Sequence, residues 1–274
     1  MAKSPTKKVS ETPAFFEIGR FIASPGRKLC GFLIEAEAER AVFRRILDVA
    51  AKHNARLKFA HFQRPNEKKI ILVFFDYTEC DVSPQALADE IRKSRNVISV
   101  ELIESPIEGF IIDTTSNQLA VNGVRSAICP LPIYRGLIQG ARDQFGSGGA
   151  FFLYYAGHEM GEETARLARK LGQRLGATDP MQILRDIILP LQGSTGWGIP
   201  KITEFKPNPL YIRIKIYNSL ECEIGCGAKE PYSHLTRGFI AGCVSELFGI
   251  KATVTETKCI AKGDPYCEFT IKPA

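Results

Sequence analysis

The chain has 274 residues, 45% of them apolar and 24% charged, and a formal net charge of +6. That balance excludes a disordered chain, a collagen-like repeat and a coiled-coil rod, and the length suits two ordinary domains. The longest apolar runs, 70–75 (IILVFF) and 150–156 (AFFLYYA), fall far below the ~20 residues of a membrane span, and no apolar stretch follows the first lysines, so a cytoplasmic chain is expected.

Residues 1–28 hold six basic side chains (Lys3, Lys7, Lys8, Arg20, Arg27, Lys28) against Glu11 and Glu17. They read as a basic amino-terminal arm, either a solvated tail or a contact for DNA. Residues 29–35 (LCGFLIE) form a strand-length apolar run. Residues 36–53 place Val42, Phe43, Ile46, Leu47 and Ala50 at helical spacing. Residues 56–63 alternate, 64–68 (RPNEK) form a turn, and 69–77 (KIILVFFDY) read as a strand buried on both faces. Ser83 followed by Pro84 is a helix start, with the helix expected to run to about Lys93. Strands are predicted over 97–103 (VISVELI) and 109–113 (GFIID). Strand, helix, strand, strand, helix, strand is the ferredoxin-like βαββαβ layout, and it resembles the ACT-like regulatory domains. That resemblance implies effector binding or edge-to-edge dimerisation, with plain packing as the alternative. The predicted domain covers 29–113, and polar residues make 114–128 a linker.

After the linker the pattern changes. Residues 133–145 read as a helix ended by Gly146, 150–155 as a strand, and 157–175 as a long helix. A further helix starts at Asp179-Pro180 and stops at Pro190. Residues 210–217 (LYIRIKIY) alternate with period two, the mark of a half-buried strand. A helix over 233–248 is capped by Gly249. Strands over 251–258 and 266–271 flank the turn 261–265 (AKGDP). The predicted fold class is therefore α+β: a ferredoxin-like domain, then an α/β domain over 129–274 with an antiparallel sheet and packed helices.

Eight cysteines in a cytosolic chain point to thiols or metal ligands, and five of them (Cys222, Cys226, Cys243, Cys259, Cys267) crowd the last fifth. In the same region GHEMGEETA (157–165), GWG (196–198), NSLE (218–221), GFIAGCVSELFG (238–249) and ETKCIAKGDPYCEF (256–269) occur in order. Together they resemble the 4-vinyl reductase domain family, which includes phenol sensors of transcription activators and archaeal proteins. The resemblance covers about 129–274. It implies a dimerising α/β fold that encloses an apolar pocket beside a structural zinc. The ligands it implies here are Glu221, Cys259 and Cys267, while Ser233 stands at or beside the place of a further sensor cysteine. His234 or Cys226 would complete the shell, since zinc favours four tetrahedral N, S or O ligands. Cys243 and Cys222 read as core residues, and Cys259 with Cys267 can also be a metal-free thiol pair.

The same resemblance places Tyr217 on a ligand pocket. Trp197, Phe152 and Tyr155 are further candidates for its wall, with core filling as the alternative. No nucleophile elbow, phosphate loop, HExxH or dinucleotide fingerprint occurs, so no catalytic residue is assigned; His158 beside Glu159 is the best isolated pair. The expected function is a cytosolic sensor of a small apolar or aromatic molecule, acting as a homodimer. The alternatives are an accessory or catalytic subunit of a reductase-type enzyme, and a transcription regulator using the basic arm on DNA.

Overall fold

A computed structural model of the chain describes residues 17–64, 68–115 and 118–274. Lys3, Lys7, Lys8 and Glu11 of the basic arm lie outside the described residues. The chain divides into two compact units, Met1–Ala127 and Ile128–Ala274.

The first unit contains β1 (Phe21–Ala23), β2 (Leu29–Ala36), α1 (Glu39–Lys52), β3 (Arg56–Gln63), β4 (Lys69–Asp76), α2 (Pro84–Arg92), β5 (Val97–Glu104), β6 (Phe110–Ile112), β7 (Leu119–Val121) and β8 (Val124–Ser126). Its main sheet has the order β3-β4-β2-β5, antiparallel throughout, so the ferredoxin-like layout is present. One face buries Phe32, Ile34, Val73 and Phe75 against Val42, Ile46 and Val49 of α1 and Leu87 and Ile91 of α2. On the other face Leu29, Leu72, Phe74 and Ile103 pack with Ile111 of β6 and Ile22 of β1. This two-sided cover explains the unbroken apolar run of β4. Ser83 caps α2 by accepting the Ala86 N–H at 3.2 Å.

The described end of the expected arm is not a free tail. β1 pairs antiparallel with β6. Arg20 reaches Asp113 at 2.8 Å and Arg27 reaches Asp76 at 2.7 Å, each carboxylate being buried. β7 and β8 form a short hairpin inside the stretch read as a linker.

The second unit contains α3 (Leu131–Phe145), α4 (Ser147–Leu175), α5 (Pro180–Ile183), a π turn (Leu184–Ile188), α6 (Leu189–Ser194), β9 (Ile199–Pro207), β10 (Leu210–Tyr217), α7 (Leu220–Ile224), α8 (His234–Phe248), β11 (Ala252–Lys258) and β12 (Cys267–Pro273). Its sheet is antiparallel with the order β11-β12-β10-β9. Ile212, Ile214, Ile216, Phe269 and Ile271 face a core shared with Ile240, Val244 and Leu247 of α8. Glycines let α4 and α8 meet backbone to backbone. A Cβ on Gly157 or Gly161 would lie 2.1 or 2.2 Å from the carbonyl oxygens of Leu235 or Phe239. One on Gly238 or Gly242 would lie 2.0 Å from that of Tyr154 or His158.

Two sequence expectations fail here for physical reasons. Residues 150–155 are not a strand but part of α4, because Leu153 alone of the run enters the core while Phe151, Phe152 and Tyr155 stay exposed. A short apolar run carries no period by which to separate strand from helix. Pro190 does not end its helix. The π turn shifts the ladder so that Pro190 becomes the second residue of α6, where a missing N–H costs no helical bond.

Candidate metal centre

Three segments of the second unit converge under the sheet. β10 ends at Asn218, which turns the chain with φ 51°, a left-handed conformation that asparagine tolerates. The turn feeds α7, whose Glu221 and Cys222 both point inward. β11 alternates, so Ala252, Val254 and Glu256 share its buried face. A register shift after Glu256 then ends the ladder and delivers Cys259 to the loop. The loop is stapled by the Asp264 carboxylate, which accepts the Cys259 N–H at 2.8 Å, and the return strand opens with Cys267.

Cys222, Glu256, Cys259 and Cys267 thereby form a cluster able to hold a metal ion, with ligand atoms all within 4.8 Å of one another. The Cys222 sulfur lies 3.5 Å from that of Cys259 and 3.3 Å from that of Cys267, and all three thiols are free. Ser233, at the start of α8, lies between them. Its Oγ donates to Glu256 Oε1 at 2.8 Å and sits 3.0 Å from the Cys222 sulfur, and its N–H donates to Glu256 Oε2 at 3.1 Å. Backbone N–H groups of Tyr232 and Ile260 donate to the sulfurs of Cys259 and Cys267, each at 3.4 Å.

The electrostatics suit a shared charge. Hydrogen bonds from Cys222 and Cys267 hold the Cys259 thiol far below its ordinary range, while the same bond to Cys259 pushes Cys222 up. Burial, then the neighbouring Cys259, pushes Glu256 up to about 8. Three thiols and a carboxylate in one buried spot repel as anions, and a divalent cation removes that repulsion. Zinc–sulfur bonds of about 2.3 Å at tetrahedral angles imply sulfur separations near 3.8 Å, a few tenths wider than those observed. The donor set and its spacing fit zinc.

The other ligands expected from sequence are placed elsewhere. Glu221 is fully buried but caps α8: its Oε2 accepts the Thr236 N–H and hydroxyl, each at 2.8 Å, and its Oε1 accepts the Leu235 N–H at 3.0 Å. Arg142 of α3 stands 3.5 Å from the same carboxylate. Burial pushes the Glu221 carboxyl up, opposed by these bonds. His234 turns to Arg142, with Nδ1 3.0 Å from its guanidinium, and burial followed by that cation pulls its pKa down. Cys226 is exposed on the following loop. Arg142 also donates to the Tyr232 carbonyl at 2.6 Å and stacks 3.7 Å above the Tyr232 ring, so one guanidinium braces both flanks of the cluster.

Cys222 and Glu256 were assigned no metal role from sequence. The signal for Glu256 was present in the alternation A-x-V-x-E of β11, which puts a carboxylate on a buried face. Cys222 carried only its adjacency to Glu221.

The four aromatic candidates do not line one chamber. Phe152 and Tyr155 lie on the outer side of α4, 56% and 52% exposed. Tyr217 follows the inward Ile216 and so faces outward, its ring 5.6 Å from Tyr266. Trp197 does pack on the core, edge-on to Tyr134 at 5.1 Å. On α4, His158 sits 3.6 Å from Glu162, a carboxylate already held by Arg166 at 2.7 Å.

Residues 212–273 match the 4-vinyl reductase domain family, a span that contains all four cluster residues. An uncharacterized protein of Methanocaldococcus jannaschii is 45% identical over 69 residues, 24% of this chain and 29% of that protein. The chain thus spans under a third of that relative's length. A second uncharacterized protein of the same organism is 25% identical over 172 residues, covering 63% of this chain and 91% of its own. Among solved structures, the phenol-responsive sensory domain of the transcription activator PoxR, crystallised with phenol, is similar with a TM-score of 0.53 at 16% identity, over 59% of this chain and 83% of that domain. The second unit therefore carries a 4-vinyl reductase domain, residues 212–273, in a fold shared with the PoxR sensory domain.

Proposed function

We propose that the second unit is a small-molecule-binding sensor module whose fold is pinned by a structural zinc at Cys222, Glu256, Cys259 and Cys267. The observation that carries this reading is the convergence of those four donors inside the matched 4-vinyl reductase domain, in a fold shared with a phenol-responsive domain. Four protein ligands leave zinc no open position, so the metal would tie α7, β11 and the β11–β12 loop together without taking part in turnover. The ligand class is a small apolar or aromatic molecule. The free thiols suit a reducing cytoplasm. A second copy would cover the exposed Phe151, Phe152 and Tyr155 of α4, and the ferredoxin-like unit would serve as the regulatory partner module.

The test is thermal melting with phenols, vinyl-substituted rings and short fatty acids. A ligand at 100 times its Kd adds about 2.7 kcal/mol, which raises the melting temperature by roughly 5–10 °C for a unit of this size. No rise with any apolar compound contradicts the sensor reading.

A further inference from the structure

We infer that the outward face of the second unit's sheet is a docking surface for single-stranded nucleic acid. This inference is independent of the small-molecule reading, which concerns the opposite face and the metal cluster. Inward residues of β10 and β12 are buried isoleucines and phenylalanine, whereas the residues between them are half-buried or exposed and mostly polar. Register puts Lys201, Lys206, Arg213, Lys215, Lys258 and Lys272 on that outward face. Only Glu204 and Glu268 oppose them there, an excess of four positive charges. The whole unit has 17 Lys and Arg against 14 Asp and Glu, so this one face holds more than the unit's entire excess.

The arrangement is costly without an anion. Lys201 and Lys215 are direct cross-strand partners, and like charges so placed destabilise a sheet. The ammonium groups of Lys215 and Lys258 converge on one atom, donating to the Tyr266 hydroxyl at 3.0 and 3.1 Å. Glu268 is 3.9 Å from Lys215 and accepts from the Thr257 hydroxyl at 2.9 Å, so it offsets this pair in part.

Aromatic rings are interleaved with the cations. Lys215 and Lys258 lie 4.1 and 4.9 Å from the centre of the Tyr266 ring, which neighbours Tyr217. At the other end of β10, Lys206, Arg213 and Lys272 surround the Tyr211 ring at 5.6–5.7 Å. Outward side chains on a strand recur about every 6.7 Å. A flat surface with rings beside cations at that repeat stacks bases and neutralises the phosphates between them. An anionic membrane would use the charge but not the rings, and a small anion needs a cavity that a flat sheet lacks.

The experiment is fluorescence anisotropy of a labelled oligothymidylate with the full chain. Neutralising about four phosphates predicts a roughly 50-fold loss of affinity between about 50 and 200 mM salt. Lys215→Ala with Lys258→Ala is expected to weaken binding roughly tenfold, as is Tyr266→Ala, while the Lys170→Ala, Arg174→Ala control on α4 leaves it unchanged. Circular dichroism and melting of each variant confirm that the fold is retained. The inference is overturned by no binding at low salt, by equal losses in the α4 control, or by preference for phosphatidylserine vesicles over the oligonucleotide.

Discussion

The two units bury their sheets by different means. In the first, Phe, Ile, Leu and Val cover both faces, and ionic groups stay at the edge in pairs such as Arg27 with Asp76 and His53 with Glu90. In the second, the apolar core is interrupted by two buried polar knots, the thiol–carboxylate cluster and the Arg142–Glu221 brace on the amino end of α8. An apolar core tolerates the loss of a methylene. A knot of buried charge stands or falls with each partner.

The sharpest way to break the comparison is chelation. Removing a structural metal from the second unit should cost several kcal/mol, lowering its melting transition by on the order of 10 °C, while the first unit's transition stays in place. Differential scanning calorimetry with and without a strong zinc chelator reads both transitions at once. Next, Glu221→Ala should cost about 3–5 kcal/mol, because Arg142 and the amino end of α8 lose their carboxylate together; denaturant titration followed by the fluorescence of Trp197 measures it. Gly161→Ala should cost about 3 kcal/mol, since the new methyl meets the Phe239 carbonyl oxygen at 2.2 Å and the two helices must part. The same substitution at Gly136, which meets nothing within 4 Å, should leave stability unchanged or raised.

The smallest effects belong to the first unit and run in opposite directions with pH. Asp76 resists the upward push of its burial. Hydrogen bonds from Thr78 and Arg27 hold its carboxyl at about 2. Its contribution is full above the ordinary carboxylate pKa of about 4 and fades as pH falls toward 2. His53 is raised by Glu90 and then Asp81, which lie 2.9 Å from its two ring nitrogens. Its contribution is full below its ordinary pKa of about 6.5 and is lost as pH rises through the higher folded value. Melting of the first unit should therefore be highest between about pH 4 and 6.5, and His53→Gln should flatten only the alkaline side.

Legibility in the sequence followed periodicity. The strands β3 and β10, the hairpin of Cys259 and Cys267, and the Gly249-capped helix α8 all had a clear period or a punctuating residue. The apolar run opening α4 had neither, and its partner glycines on α8 signal a crossing only once both helices are seen together. The cluster was half legible. Two of its cysteines stood in a specific motif, but the choice between Glu221 and Glu256 depends on which carboxylate finds other donors. Glu221 meets the free N–H groups of a helix end, and Glu256 meets the thiols. That competition is tertiary and leaves no trace in spacing.

Zinc content of the purified chain, read by plasma mass spectrometry, tests the central claim most directly. The account predicts about one zinc per chain for the natural sequence and for Cys226→Ser, and its loss in Cys222→Ser and in Glu256→Gln. Full zinc in the latter two variants, or none in the natural chain after refolding with the metal, would contradict it.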